Sequence, residues 1–587
     1  MVTATRTEQP VGDVVSLVTL VPGSAFQEAP GLTLDDALRQ VPGFSLLRRS
    51  GAIVANPTSQ GVSLRGIGTS GASRTLVLLD GVPLNDPFGG WIQWNRIPLL
   101  AIESVELVRG AGSALYGNAS MGGTIEVRTK ARNGDALALQ AQGGTHGTYD
   151  VDGVVSHRSE AAAALLSARA FGTDGFYVVN EADRGPVDVA AHSLFKSLLA
   201  SGSRHGLHGG VNVFDERRGN GTPLQKNHST LGLVSAGYGS GAWNVDGFSQ
   251  WGRFDNQPTR ILPKRVGEIP LAEDDTSSQA LGAAVGWRPK HGFLTGADWR
   301  HVSAQSKTQD LAGVFAQQLL SLSSRVDLLL GLRFDVWKSE ESHTAADPRA
   351  GLLFRASKDW TLRASGYRGF RAPTLNELYR PFRVGNIQTQ ANAHLTSESL
   401  WGGEVGADFH PTSALLVRMN AFLNSLDDPI GNVTLSVTPQ ETLRQRQNLP
   451  GARTRGLEAE ASARGGHWEA VASYLFADAR LQSGLAIPQV PRHQGTVGVT
   501  WRGFLAVTAQ GRLATRQFED DRNVLGLAKY AVCDVVVRRR LTGTFDVFVA
   551  ADNLFDSAYA VGRTPVPTFG TPRIIHGGIH WRRSATP

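Results

Sequence analysis

Among 587 residues the sequence holds one cysteine, Cys533, so no internal disulfide can form. Long apolar runs are missing as well. None approaches the roughly 18–20 apolar residues with which a helix spans a bilayer, which excludes a helical membrane protein. Lysine is scarce beside arginine, and no Lys/Arg run marks a nucleic-acid patch. The formal net charge is only +6. No glycine-rich segment ends in the Lys-Ser/Thr of a phosphate-binding loop, and no His/Cys cluster has zinc spacing. His205 and His208, three apart in a strand-rich region, belong on opposite faces. Glu273-Asp274-Asp275 reads as an exposed acidic loop rather than a metal site. These absences leave no catalytic constellation, no cofactor and no enzyme.

What the chain has in excess is glycine, 67 of 587 residues, or 11.4% against a usual value of about 7%. Interior glycines cost helices roughly 0.5–1 kcal/mol each, so the excess points to turns and β-structure. A hydrophobic content of 41% with 19% charged residues excludes a disordered chain. A soluble all-β protein and a transmembrane β-barrel remain.

Two textures divide the sequence. Residues 10–130 read as a small α/β unit. Thr33-Leu34-Asp35-Asp36 resembles a capping box, with the Thr33 hydroxyl offered to the backbone near Asp36. Leu34, Leu38 and Val41 then form one helical stripe, which Pro42-Gly43 stops. Leu76–Leu79 is a short apolar strand closed by Asp80-Gly81, and Val105–Val108 and Thr124–Arg128 are two more.

From residue 131 to 587 the pattern alternates with period two. Leu457, Ala459, Ala461 and Ala463 alternate with Glu458, Glu460, Ser462 and Arg464, and Gly465-Gly466 turns the chain into Trp468–Tyr474. Leu415–Leu423, Phe545–Ala551 and Trp360–Gly366 alternate likewise. The apolar faces often carry small residues that would fill a soluble core poorly but suffice against lipid tails. The opposite faces are charged, as a wet lumen allows, and Trp360, Trp468, Tyr474 and Trp501 are expected at interfacial girdles near strand ends. At roughly 20 residues per strand and loop, these 457 residues make about 22 antiparallel strands, the class whose lumen is plugged. The N-terminal unit is the candidate plug.

The ordered motifs now resemble a family. Leu38-Arg39-Gln40-Val41-Pro42-Gly43, Leu64-Arg65-Gly66, Asp80-Gly81-Val82-Pro83-Leu84-Asn85, Ile102 through Arg109-Gly110, Ser113-Ala114-Leu115-Tyr116-Gly117 and Met121-Gly122-Gly123-Thr124-Ile125 stand in the plug order of the TonB-dependent receptors of the Gram-negative outer membrane. Gly369-Phe370-Arg371-Ala372-Pro373-Thr374-Leu375-Asn376-Glu377-Leu378-Tyr379 resembles a barrel motif of that family, and Asn553-Leu554-Phe555-Asp556 with Tyr559 resembles the segment before its last strands.

The resemblance implies a receptor that captures a scarce nutrient outside the cell, a ferric siderophore, haem or cobalamin. Import to the periplasm would draw energy from the inner-membrane TonB complex. It further implies a monomer in outer-membrane lipid that binds a small molecule and no nucleic acid. Val2, Thr3 and Ala4 resemble the tail of an energy-coupling box, and residues 1–9 would be its remnant, able to add as a strand to the partner's sheet. Arg65 and Arg109 match plug arginines that face two barrel glutamates, for which Glu404 and Glu458 are candidates. For ligand contact we expect Arg48, Arg49 and Asn56 on one plug loop and Asn85, Asp86, Phe88, Trp91, Gln93 and Trp94 on another.

The chain departs from the family at both ends. It shows no signal peptide, which is expected of a processed or truncated start, and six residues follow Trp581, the aromatic expected near the barrel terminus. The shortened coupling box keeps a second expectation open, an uncoupled outer-membrane surface-binding protein or adhesin that retains the plug.

Overall fold

The computed structural model describes residues 6, 9–47, 49–68, 71–130, 135–289, 292–384, 386–438 and 441–584. The chain forms two units, one nested inside the other.

The inner unit is built on a five-stranded mixed sheet. Its strands are β1 (Val18–Pro22), β2 (Leu76–Leu79), β3 (Val82–Pro83), β4 (Ile102–Arg109) and β5 (Gly123–Thr129), in the spatial order β1-β4-β5-β2-β3. Only β2 and β5 run parallel, with Leu76 opposite Thr124. One face of the sheet is apolar: Val77, Val105, Leu107 and Ile125 are wholly buried. The helices α1 (Gly23–Glu28) and α2 (Leu34–Leu38) lie beside it, and Leu34, Leu38 and Val41 turn inward into one cluster with Trp94.

The expected cap at Thr33 takes a different form. Its hydroxyl lies 2.7 Å from both Asp35 Oδ1 and Asp36 Oδ2, and its side chain accepts no backbone hydrogen bond. Two carboxylates in the first turn compete for the hydroxyl proton, and the buried one, Asp35, also takes the Ala52 N–H at 3.1 Å. Burial and the neighbouring Asp36 push the Asp35 carboxyl up to about 6.

The outer unit is a closed barrel of 22 antiparallel strands, from Ala136–Gly144 to Ile574–Ser584, which pair with each other to seal the cylinder. Alternation sorts the faces as the pattern required. Along Leu415–Asp427, Arg418, Asn420 and Asn424 point into the lumen and are buried, while Met419 is 61% exposed on the outside. Val405, Leu457 and Val549 stand outside in the same way. Water outside the barrel would make this apolar belt costly; lipid makes it favourable. No described helix is long and apolar enough to cross a membrane, so the crossing is made by strands.

Trp243, Trp287, Trp360, Trp468 and Trp501 gather at the short-turn end, where Trp243–Trp287 and Trp360–Phe409 pair at 5.9 and 4.4 Å. Tyr474 does not join them. It lies midway along Trp468–Leu481, its hydroxyl 2.7 Å from His493 Nδ1.

At the opposite end the connections are long, above all 372–397 and 428–451. By the geometry of outer-membrane barrels this is the extracellular side. These two loops contribute a four-stranded sheet from Phe382–Val384, Ile387–Gln390, Ile430–Val437 and Thr442–Asn448. They also hold the short helix from Leu375 to Tyr379, whose start is closed by a reciprocal Thr374–Glu377 capping box.

Candidate functional site: the plug latch and the extracellular cavity

The plug meets the wall through charge. Arg65 follows the short strand Val62–Ser63 and sits with Gly66 in the left-handed region, at φ 55° and 64°. A non-glycine residue held there stores strain that its surroundings must offset. The turn aims the guanidinium at the barrel. Nε and Nη2 both donate to Glu458 Oε2, at 3.0 and 2.9 Å, and Nη2 lies 2.6 Å from Glu404 Oε2. Nη1 reaches the Tyr367 hydroxyl at 3.3 Å, and the Phe422 ring lies 5.0 Å from the guanidinium carbon. Burial opposes the Arg65 charge, but the two carboxylates outweigh it and hold the pKa above its ordinary value.

Arg109, at the end of β4, lies 3.5 Å from Glu458 Oε1 and donates from Nη2 to Glu460 Oε1 at 2.6 Å. Glu460 was not singled out in the sequence. It sits two residues from Glu458 on the same strand, and the period-two pattern alone puts it on the same lumen face.

A second charged network lies nearer the long loops, and sequence reasoning missed it. Arg74, just before β2, donates to both oxygens of Glu398, with Nε–Oε2 3.1 Å. Glu398 also accepts from Arg371 and from the Ile430 N–H. Arg371 in turn holds Glu377 with two parallel bonds of 2.8 and 3.0 Å. Plug, wall and both long loops are thus tied through one carboxylate. The available signal was Arg371 and Glu377 within the barrel motif; nothing local marked Arg74.

Above the plug a cavity of about 1020 Å³ opens among the long loops. Its floor includes Asn56, Thr58, Ser59, Ile67 and Arg74 of the plug, and its walls include Tyr379 and Arg446. Asn56, one of the residues expected at the ligand, lines this cavity. Its side chain also accepts the Thr58 N–H at 3.1 Å.

The other described residues named for ligand contact do not line it. Arg48, Val2, Thr3 and Ala4 lie outside the described residues. Arg49 is buried under the loops, donating to the carbonyls of Ala528 and Ala560 over the Tyr530 ring. Asn85, Asp86, Phe88, Trp91, Gln93 and Trp94 are absent from the cavity lining. The loop that carries them folds flat against the wall because its aromatics find apolar partners there. Phe88 and Trp91 are buried with Ala280 and Val302, Trp91 meets Phe254 at 6.3 Å, and Trp94 meets Phe44 at 5.6 Å.

Gly89 is needed in that fold, since a Cβ there would fall 1.6 Å from the Trp91 ring. Asn85 Oδ1 accepts the Val77 N–H, Gln93 reaches Ser229, and Asp86 Oδ1 caps Phe88 and Gly89 at 3.0 and 2.8 Å. Burial pushes the Asp86 carboxyl up to about 6 and the nearby Arg96 guanidinium down to about 10.

A plug latched by buried ion pairs inside a closed lipid-facing barrel, beneath an outward cavity, defines a plugged barrel receptor. Sequence comparison agrees. Residues 146–554 match the family described as TonB dependent receptor-like, beta-barrel, and residues 10–124 match the TonB-dependent Receptor Plug Domain. The chain belongs to the TonB-dependent receptors, a family of receptors and transporters, not enzymes, of the Gram-negative outer membrane.

It is similar to a vitamin B12 transporter, BtuB, of Photobacterium profundum, 22% identical over 96% of this chain and 92% of that protein. It is 23% identical to an iron-regulated outer membrane virulence protein of Vibrio cholerae, over 95% of this chain and 91% of the other. In fold it resembles the siderophore receptor PirA of Acinetobacter baumannii, with a TM-score of 0.79, 16% identity, and 97% and 98% of the two chains covered.

Proposed function

We propose that this receptor captures a scarce nutrient, a ferric siderophore, haem or cobalamin, at the cell surface and imports it with energy from the inner-membrane TonB complex. The observation that carries this reading is the pairing of an outward cavity with a lumen that holds a plug tied to the wall by buried ion pairs. A passive pore has no use for a stopper, and an adhesin has no use for one held by movable charge pairs. Buried ion pairs contribute little net stability because desolvation offsets attraction. They do fix orientation, which suits a plug that must hold firmly and yield when pulled. The relatives' printed names, a vitamin B12 transporter and a siderophore receptor, support the nutrient class.

Uptake of labelled ligand in cells with and without TonB tests the proposal. Accumulation that vanishes on deletion is expected. Surface binding with no TonB-dependent uptake would favour the uncoupled surface-binding protein instead.

A further inference from the structure

We infer that the ligand of the extracellular cavity is a net-neutral, amide-bearing molecule rather than a multiply charged anionic chelate. The inference rests on the receptor reading above and narrows it.

Six arginines and six carboxylates line the cavity, and no lysine, histidine, cysteine or methionine does so among the described residues. The formal charges cancel. More telling is how they are committed. Arg74 is bound to Glu398, and Arg265 donates to Asp188 at 2.7 Å. Arg380 donates to Asp274 at 2.8 Å, and Arg383 pairs with Glu441. Arg446 has no carboxylate but gives its donors to the carbonyls of Asn376 and Arg380, both at 2.7 Å, under the Phe382 ring.

The carboxylates are tied as firmly. Glu377 is held by Arg371, and Asp520 by the backbone of Leu525. Asp521 is held by Thr434, and Glu519 by the Arg563 backbone N–H and the Thr564 hydroxyl. Only the Arg444 and Glu273 side chains, one of each sign, show no ion pair or hydrogen bond among the described residues.

A trianionic chelate would have to pull arginines from these partners, leaving Glu398 and Asp188 buried without counter-charge. A neutral ligand leaves every pair intact. What the cavity offers it is hydrogen-bonding amides, including Asn56, Gln225, Asn256, Asn432 and Gln482, set among apolar patches such as Ile67 and Val433. Amide side chains donate and accept at once, so they match a ligand carrying amides of its own. Size agrees too. The volume suits a large macrocyclic ligand.

The test uses the full-length receptor in detergent and three probes: cyanocobalamin, ferrichrome (a neutral ferric trihydroxamate cyclic peptide) and a triply anionic ferric tris-catecholate. We expect at least one neutral probe to bind about 100-fold tighter than the anion, and its affinity to change less than about twofold between low and high salt. Asp274→Asn, which releases Arg380, is expected to raise affinity for the anion about tenfold relative to that for the neutral probe.

Tight, salt-sensitive binding of the catecholate by the wild-type receptor would overturn the inference and leave the nutrient-receptor reading standing. Failure of all three probes to bind, with no TonB-dependent uptake in cells, would overturn both.

Discussion

Arg65 and Glu458, 393 positions apart in sequence, are joined by two hydrogen bonds to one carboxylate oxygen, and neither residue has access to water. Glu458 also lies within 3.5 Å of Arg109, so one barrel carboxylate serves both plug arginines. Replacing Glu458 by Ala removes one of the two carboxylates that hold each guanidinium, leaving Arg65 on Glu404 and Arg109 on Glu460. The expected cost is about 1.5–3 kcal/mol of plug retention. It should appear as protease sensitivity of residues 10–130 and raised single-channel conductance. Arg109→Ala should cost less than Arg65→Ala, because Arg65 is the better satisfied of the two: Arg109 Nε and Nη1 have no hydrogen-bond partner.

Arg371→Lys tests the upper network. An ammonium cannot make the paired bonds to Glu377 while also reaching Glu398. Losing charge-assisted hydrogen bonds of this kind costs about 1.5–3 kcal/mol. Earlier proteolysis within 372–397 is expected, with the barrel intact. A cleavage pattern identical to wild type would show that the network does not hold the loop.

Trp91→Ala is expected to act on stability. Its ring is buried against Phe88 and Phe254, and truncating a buried tryptophan costs about 3–5 kcal/mol. Thermal unfolding should shift down, and ligand affinity of the folded fraction should change little. A variant that keeps its unfolding temperature yet loses ligand binding would place Trp91 at the ligand after all.

Asp86→Asn carries a pH signature. Burial raises this carboxyl to about 6 from an ordinary 3.8, so the folded state holds its proton more tightly than the unfolded chain. Its contribution is fully favourable below about pH 4 and is lost as pH rises toward 6. The amide keeps the Oδ1 acceptor for Phe88 and Gly89 and cannot ionise. Stability measured from pH 4 to 7 should therefore fall less steeply in the variant. Parallel curves for the two proteins would contradict the assigned burial.

Much of this molecule was legible in the sequence, and the reasons are physical. Period-two alternation forces one face of each strand outward, so Met419 against Arg418 and Asn420 is readable without coordinates. The helix stripe of Leu34, Leu38 and Val41 was equally plain, and the plug arginines were reachable through their motifs. The aromatic loop was not. Whether Phe88 and Trp91 face a ligand or a wall depends on the partner surface, here Phe254, Ala280 and Val302, supplied by strands far along the chain. Arg74 was hidden for the same reason, since its meaning lies in Glu398, 324 positions away. The charge balance of the cavity is a property of assembled loops and of no single segment.

The most direct test of the account is single-channel conductance of the purified receptor in a planar bilayer, before and during exposure to urea. A plug latched inside a closed barrel predicts a nearly silent channel that opens to large, reversible conductance as the plug loosens, and opens at lower urea in Glu458→Ala. A wide, steady pore in the absence of denaturant would contradict it.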